Sequence, residues 1–515
     1  MIIFLACARA DPVYAFGGAQ LIIKGTGEVT KEGVRSNPYQ LIETCTIGEG
    51  ITSIGSEAFR ECNKLSKISL PQSLKALNGC FDRTNLSELS IPQLVEKITM
   101  YYLIYGSVLT RFLVSEDNQH FSAFDDCLYN HDRTVLLSVP NLKTSIKFPP
   151  EINEAGYWSI TTTYLQECHF PSSMILFSRQ TFVDNKRTIN LTISKDCKVE
   201  TLPYGFLWQS KVNDFVCPPS VKSIQSSCFY SAGISEFSCM EGSMLENISA
   251  EAFSSIAQLK TIRLPKTLKN FDPNAIVNCP NVENIFIDSE NPYFHNYDNG
   301  VYGNANRTLI FVPLNAKNIT IHEDATEIGT SVLQRCNNLV NVSIAGGTNL
   351  RAEGGIVYDF NNKTALAAAG GIKEFCIKKE AVTLATNLFY QMELSSVTFE
   401  NDSKLEDIKK SCFDGAKIKH FEFPPKLKYV RQWGFSNSNI TQVIFSEYLS
   451  ILEYSAFSGC SKLKIVCFHP LCPLKSLPEN SFSGSPIELI NLSNNILTIY
   501  SGAFRSAKLD RKSVV

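Results

Sequence analysis

The sequence predicts an α/β repeat solenoid, with a continuous parallel sheet on one face, short helices or turns on the other, and three β-hairpin inserts. Three observations carry this expectation. A short apolar pattern recurs along the whole chain, its spacing is nearly constant, and each departure from that spacing holds the same extra segment.

The clearest unit is Ile51-x-x-Ile54-x-x-x-Ala58-Phe59-x-x-Cys62-x-x-Leu65-x-x-Ile68-x-Leu70-Pro71. Its last part is apolar at i, i+3 and i+5, the strand signature of a leucine-rich repeat. Strand side chains alternate, so Ile68 and Leu70 share the core face while Lys67 and Ser69 point outward. The final apolar residue of the pattern falls at nineteen positions from Ile47 to Leu492, among them Leu70, Ile91, Phe170, Cys217, Ile321, Phe445 and Phe468. Fifteen of the eighteen intervals lie between 21 and 25 residues, a beat that unrelated short strands would not keep.

Proline follows the strand at Pro71, Pro92, Pro149, Pro171, Pro218, Pro265 and Pro424. Lacking an N–H, it cannot extend the ladder and turns the chain away. The next segment carries Phe after a small residue, as in Ala58-Phe59, Cys228-Phe229, Ala252-Phe253, Ala456-Phe457 and Ala503-Phe504. The run from Ser56 reads as a short helix or helical turn capped by that serine, with the Phe filling the core behind the strand.

The three long intervals are 34, 34 and 33 residues. Each holds an apolar-Tyr pair, a polar turn rich in Asn and Asp, and a Thr followed by apolar residues, which together read as a β-hairpin on the solenoid flank. The inserts lie near 118–137, 291–312 and 351–368, marked by Tyr129, Tyr302 and Tyr358. They read either as binding loops or as spacers that adjust curvature. Residues 11–40 read as N-terminal cap strands and 41–515 as the solenoid. Met1–Ala10 reads either as a short signal segment ending in Ala-x-Ala or as a capping strand.

Composition narrows the function classes. The 515 residues carry 48 Lys plus Arg against 50 Asp plus Glu, a net charge of −2 that argues against nucleic acid as the partner. No apolar run reaches the ~18 residues of a transmembrane segment. The 17 cysteines are too sparse for a disulfide scaffold and several share one repeat position, as in Phe59-x-x-Cys62 and Phe457-x-x-Cys460; they read as small buried apolar residues. Cys460, Cys467, His469 and Cys472 are residue types that bind zinc, but their spacing is loose and Cys460 and Cys467 already hold repeat positions, so no metal is assigned. No nucleotide-binding loop, nucleophile elbow or metalloprotease motif occurs. The sequence therefore predicts neither an enzyme nor a cofactor. Ten Asn-x-Ser/Thr sequons, Asn85, Asn318 and Asn439 among them, matter only if the chain is secreted.

Ile51 to Pro71 resembles the repeat of the BspA-like surface antigens, leucine-rich-repeat proteins of anaerobic bacteria and parasitic protists. So do Asn291-Pro-Tyr-Phe294 to Val301-Tyr302 and the lead-in Leu21-Ile-Ile-Lys-Gly-Thr-Gly-Glu-Val29. The resemblance covers residues 20 to 510. It implies a right-handed solenoid, display on the cell surface or secretion, and adhesion to host proteins or other cells. The alternative is a cytoplasmic scaffold for protein–protein interaction.

A partner would lie on the outward strand face. One outward column carries a mildly acidic stretch, Glu167, Asp214 and Glu236, and later His420. Toward the C-terminus the outward positions turn apolar at Ile444, Ile465, Cys467 and Leu489, a pattern that can mark an interaction site. These residues are the candidate partner-binding face.

Overall fold

The computed structural model describes residues 11–346, 349–418 and 420–507, together with all side chains there except that of His420. Met1–Ala10 and Lys508–Val515 lie outside the described residues. The chain forms two compact units, Met1–Cys279 and Pro280–Val515, each a β-solenoid built on the same principle.

Each ordinary coil contributes a strand to two parallel ladders. In the first unit, Gln20–Lys24, Thr44–Ile47 and Lys67–Ser69 pair in parallel as one. Gly27–Val29, Ile51–Ile54, Ala76–Asn78 and Lys97–Thr99 pair as the other. In the second unit, Glu374–Ile377, Ser396–Phe399 and His420–Phe421 belong to the first ladder. Thr364–Ala368, Thr383–Leu384, Asp407–Ile408, Tyr429–Val430 and Ile451–Leu452 belong to the second. The first ladder holds the repeating strand read from sequence. Its alternation is as expected: in Glu88–Ile91, Leu89 and Ile91 are buried while Glu88 and Ser90 are exposed. The second ladder, whose strands are the Ile51-x-x-Ile54 positions, had no strand reading in the sequence. Val13–Gly17 pairs antiparallel with Gln20–Lys24 at the start of the first ladder.

Between the ladders the chain makes turns, and Lys31–Arg35, capped by Thr30, is the one α-helix among the described residues. The segment from Ser56 is a double turn. Glu57 and Glu61 both take left-handed φ, 55° and 64°, which stops a helix at every fourth residue. The same pair recurs at Trp158 and Thr162, Gln180 and Asp184, Ser227 and Ser231, Asn387 and Gln391, and Trp433 and Asn437. Alternate amides divide their bonds. Ala58, Arg60 and Cys62 donate three residues back, whereas Glu57, Phe59 and Glu61 donate to Gly79, Cys80 and Asp82 of the next coil. A left-handed non-glycine residue costs roughly 1–2 kcal/mol, and these inter-coil bonds offset it. The Phe of each turn points inward and stacks on its neighbours, as in Phe435–Phe457 at 5.1 Å and Phe457–Phe482 at 5.4 Å. Cys62, Cys412 and Cys460 are fully buried beside them.

The inserts correct one expectation. They do not lie on the flank but are folded into the second ladder as antiparallel three-stranded meanders. Phe121–Phe124, Cys127–Asn130 and Val135–Ser138 pair in order, and the last continues in parallel with Glu154–Ala155. Leu350–Glu353, Ile356–Asp359 and Thr364–Ala368 do the same before Thr383–Leu384, as do Phe294–Tyr297, Gly300–Gly303 and Thr308–Phe311 before Glu327–Ile328. A hairpin on the flank would leave two edges unpaired and its Tyr in water, so pairing and burial draw it into the sheet. All three meanders break register between the apolar residue and its Tyr, at Leu128/Tyr129, Val301/Tyr302 and Val357/Tyr358. Such a bulge re-aims a side chain, and here the tyrosines turn into the core with 0–1% exposure. The first long unit also loses its strand in the first ladder: residues 145–148 form none, and the Lys147 amide donates instead to Asp125 in the insert's turn at 2.8 Å.

Candidate recognition surface

On the outward face Asp214 and Glu236 have partners of their own, and Glu167 has a histidine beside it. Glu167 lies 3.7 Å from His169, Asp214 accepts from the Ser235 hydroxyl and the Glu236 amide, and Glu236 pairs with Arg263 at 2.7 Å. Exposed pairs of this kind contribute little. The apolar candidates do form one patch. Ile465 is in register with Leu489, and Ile444 with Cys467, on three adjacent strands. Ile444 is 57% exposed and Leu489 36%, while Ile465 and Cys467 are half-buried. The His420 backbone is in a strand; its side chain is outside the described residues. Tyr129, Tyr302 and Tyr358 are removed from any surface by their burial, so they serve the core and not a ligand.

The surface that sequence reasoning missed lies on the turn flank of the first unit. The left-handed turn residue differs from coil to coil. At Glu57 it is charged, but at Tyr102 and Trp158 it is aromatic. The first insert then brings these two together. Its unit has no double turn on the flank, only the short connection 139–142, so the coil of residues 101–106 meets the coil of residues 157–163 directly. The Gly106 amide donates to the Thr162 hydroxyl at 3.1 Å, and the buried Asn141 amide donates to the same hydroxyl. The third insert has the same consequence in the second unit, where the Gln334 side-chain amide reaches the Asn387 carbonyl at 2.9 Å, 53 residues away.

Trp158 is the centre of the resulting cluster, 9% exposed. Tyr101, Tyr102, Tyr105 and Tyr157 surround it with ring centroids 4.5, 5.5, 6.0 and 6.1 Å away. Tyr101 and Tyr157 present their rings to solvent, at 42% and 40% exposure. Gly79 makes room for this, because a Cβ there would stand 2.2 Å from the Tyr101 carbonyl oxygen at φ +62°. Polar tips are held: Trp158 Nε1 donates to Gln180 at 3.3 Å, Tyr105 donates to Asp184 at 2.8 Å, and Arg60 sits 5.7 Å over the Tyr102 ring. Burial, then the bond to Asp184, pushes the Tyr105 hydroxyl up to about 12, so it stays a donor. Further along the same flank Tyr204, Trp208 and Tyr230 stack at 5.8 and 4.4 Å. A signal was present: Tyr157-Trp158 sets two adjacent aromatic residues at a turn where other coils carry Glu, Ser or Asn.

Among the described residues no three His, Cys, Asp or Glu side chains converge as a metal site, and no helix is long and apolar enough to cross a membrane. Cys472 donates to the Leu449 carbonyl at 3.2 Å and Cys460 to the Phe435 carbonyl at 3.0 Å.

The model of the BspA-type leucine-rich-repeat region matches residues 37–135, 138–235, 200–302, 303–353 and 382–510. Similar solved structures include a leucine-rich cell surface protein of Faecalibacterium prausnitzii A2-165, with 21% identity, TM-score 0.36, and coverage of 48% of this chain and 60% of that one. This chain thus spans less than two thirds of that protein's length. A leucine-rich repeat protein of Eubacterium ventriosum is 14% identical over 96% of this chain and 91% of that one, TM-score 0.33. The pneumococcal vaccine antigen PcpA is 13% identical over 76% and 98%, TM-score 0.42. No curated protein matches the chain.

Proposed function

The chain belongs to the BspA-type leucine-rich-repeat family, and from that membership we propose that it is a non-catalytic recognition module that binds a host or cell-surface protein from the cell surface or after secretion. The observation that carries the reading is the Trp158 cluster. A nearly buried tryptophan ringed by half-exposed tyrosines has the composition of an interface hot spot. Tyr and Trp also bring contact area at low entropic cost because they have only two side-chain torsions. Asn141, Thr162 and the Gly106 amide hold the two coils in register, so little ordering remains to be done on binding.

The test uses labelled purified chain applied to intact host or neighbouring cells, beside the Tyr101→Ala/Tyr157→Ala double variant. Saturable binding is expected, weakened by about 30-fold or more in the variant, as loss of hot-spot residues implies, with unchanged circular dichroism. Equal binding by the variant removes the cluster from the proposal, and the absence of saturable binding removes the adhesive reading. A second reading, an intracellular scaffold, is favoured by the sixteen free cysteines among the described residues, including Cys217 and Cys239, which are in register on neighbouring strands. N-linked glycans on the native protein would rule it out.

A further inference from the structure

A groove of about 500 Å³ crosses five successive coils of the second unit, where each turn leads into its first-ladder strand. Lys373, Lys417 and Lys462 line it, with Glu393, Asn439 and Thr441 between them. Lys417 pairs with Glu393 at 2.8 Å. Lys373 and Lys462 have no ion-pair partner among the described residues. The lysine charge on either side of Glu393, Lys417 first and then Lys373, holds its carboxyl below the usual range, so the groove is a field of positive charge that one acid does not cancel.

The lysines stand on the first, third and fifth of these coils, those of Glu374–Ile377, His420–Phe421 and Ile465–Phe468. The coils are stacked without interruption by the pairing of Thr383–Leu384, Asp407–Ile408, Tyr429–Val430 and Ile451–Leu452. Stacked strands repeat at about 4.8 Å, so positive charge recurs along the groove at about 10 Å. That matches the length of a disaccharide. An extended acidic peptide instead repeats its same-side charges at roughly 6.8 Å, twice the per-residue rise. The Asn439 amide and the Thr441 hydroxyl, on the coil between two lysines, suit the neutral hydroxyl-rich sugar between two acidic ones.

We propose that this groove binds an acidic polysaccharide with one anionic group per disaccharide, each lysine taking one of three successive anions. The site is separate from the Trp158 cluster and does not depend on it.

The test titrates the full chain at low salt with an unsulfated alternating glucuronate–N-acetylhexosamine hexasaccharide, its disaccharide, a hexasaccharide sulfated once per disaccharide, and a polyglutamate of similar length. The hexasaccharides are expected to bind, more weakly as salt rises, and the disaccharide to bind about tenfold or more weakly because it meets one lysine and not three. Lys373→Ala/Lys462→Ala is expected to lose about tenfold or more for the hexasaccharides, while the double variant Tyr101→Ala/Tyr157→Ala keeps full affinity. Binding of both hexasaccharides assigns a carboxylate ligand, and binding of the sulfated one alone assigns a sulfate ligand; each supports the proposal. No binding, unchanged binding by the lysine variant, equal binding of the disaccharide, or equal binding of polyglutamate overturns it. The lysines are exposed, so the variants leave the core intact.

Discussion

Asp82 shows how tightly one turn position is constrained. It is the residue after the stacked Phe81, and its side chain is 1% exposed. One carboxylate oxygen lies 3.1 Å from Arg60 Nε, while the other has no hydrogen-bond partner among the described residues and stands 4.0 Å from Arg83 Nε. Burial raises its pKa above the ordinary carboxylate value, and Arg60 and Arg83 only partly oppose that. A carboxyl whose folded value is raised stabilises the fold below its unfolded value, and that contribution is lost as pH rises through the folded value. Relative to Asp82→Asn, which does not titrate, the wild-type chain is therefore expected to gain stability as pH falls from neutrality into the acid range. Urea denaturation of both proteins across that range checks it, and a gap that moves the other way would show that the arginines and not burial govern the site.

At the scale of the element, the three insert tyrosines form an internal comparison. All are fully buried at the same bulge, but their hydroxyls are treated differently. Tyr302 accepts from the His322 amide at 3.1 Å and Tyr358 from the Lys378 amide at 3.3 Å, whereas the Tyr129 hydroxyl has no partner among the described residues. Leaving a buried polar group unpaired costs free energy, and removing such a group is close to neutral or stabilising. Tyr129→Phe is expected to leave stability unchanged or raise it, and Tyr302→Phe to cost about 1 kcal/mol, because the His322 amide loses its acceptor. Denaturant midpoints of the two variants decide the matter; equal losses would mean that ring packing alone sets the cost. The inserts also mark where the sequence was legible and where it was not. The hairpin is written locally, in Asn130 or Asp359 accepting from the amides that close the turn. Its place in the second ladder is not, because that depends on coils about 20 residues away. Equally, the inward Phe59 and Phe457 were readable from period, while the second ladder was hidden because many of its strands, such as Ser223–Ile224, are only two residues long. The Trp158 cluster was hidden for a third reason. Its rings are 56 residues apart in sequence and meet only because the insert's unit lacks a flank turn.

At the scale of the whole molecule, a stacked array has no single core, and stability should be a sum of coil and neighbour terms. Phe457 tests this in the second unit. Its ring is fully buried and stacks between Phe435 and Phe482, and Phe445 contacts its edge at 5.7 Å. Truncation to Ala removes that packing and leaves a cavity that rigid coils cannot close, at a cost of about 3–5 kcal/mol. In a two-state globular domain every slowly exchanging amide would lose protection by the same amount. Here the loss is expected to be greatest over the coils of Phe435, Phe457 and Phe482, to fade toward Phe389, and to be absent from the first-unit strands Thr44–Ile47 and Ile51–Ile54. Native-state hydrogen exchange measured peptide by peptide on wild type and Phe457→Ala reads this gradient directly. A uniform loss across both units would make the chain one cooperative body. A graded loss would also mean that damage to the lysine groove, which shares the Phe457 region, leaves the Trp158 surface intact, so that the two recognition surfaces can be separated by mutation in the full-length chain.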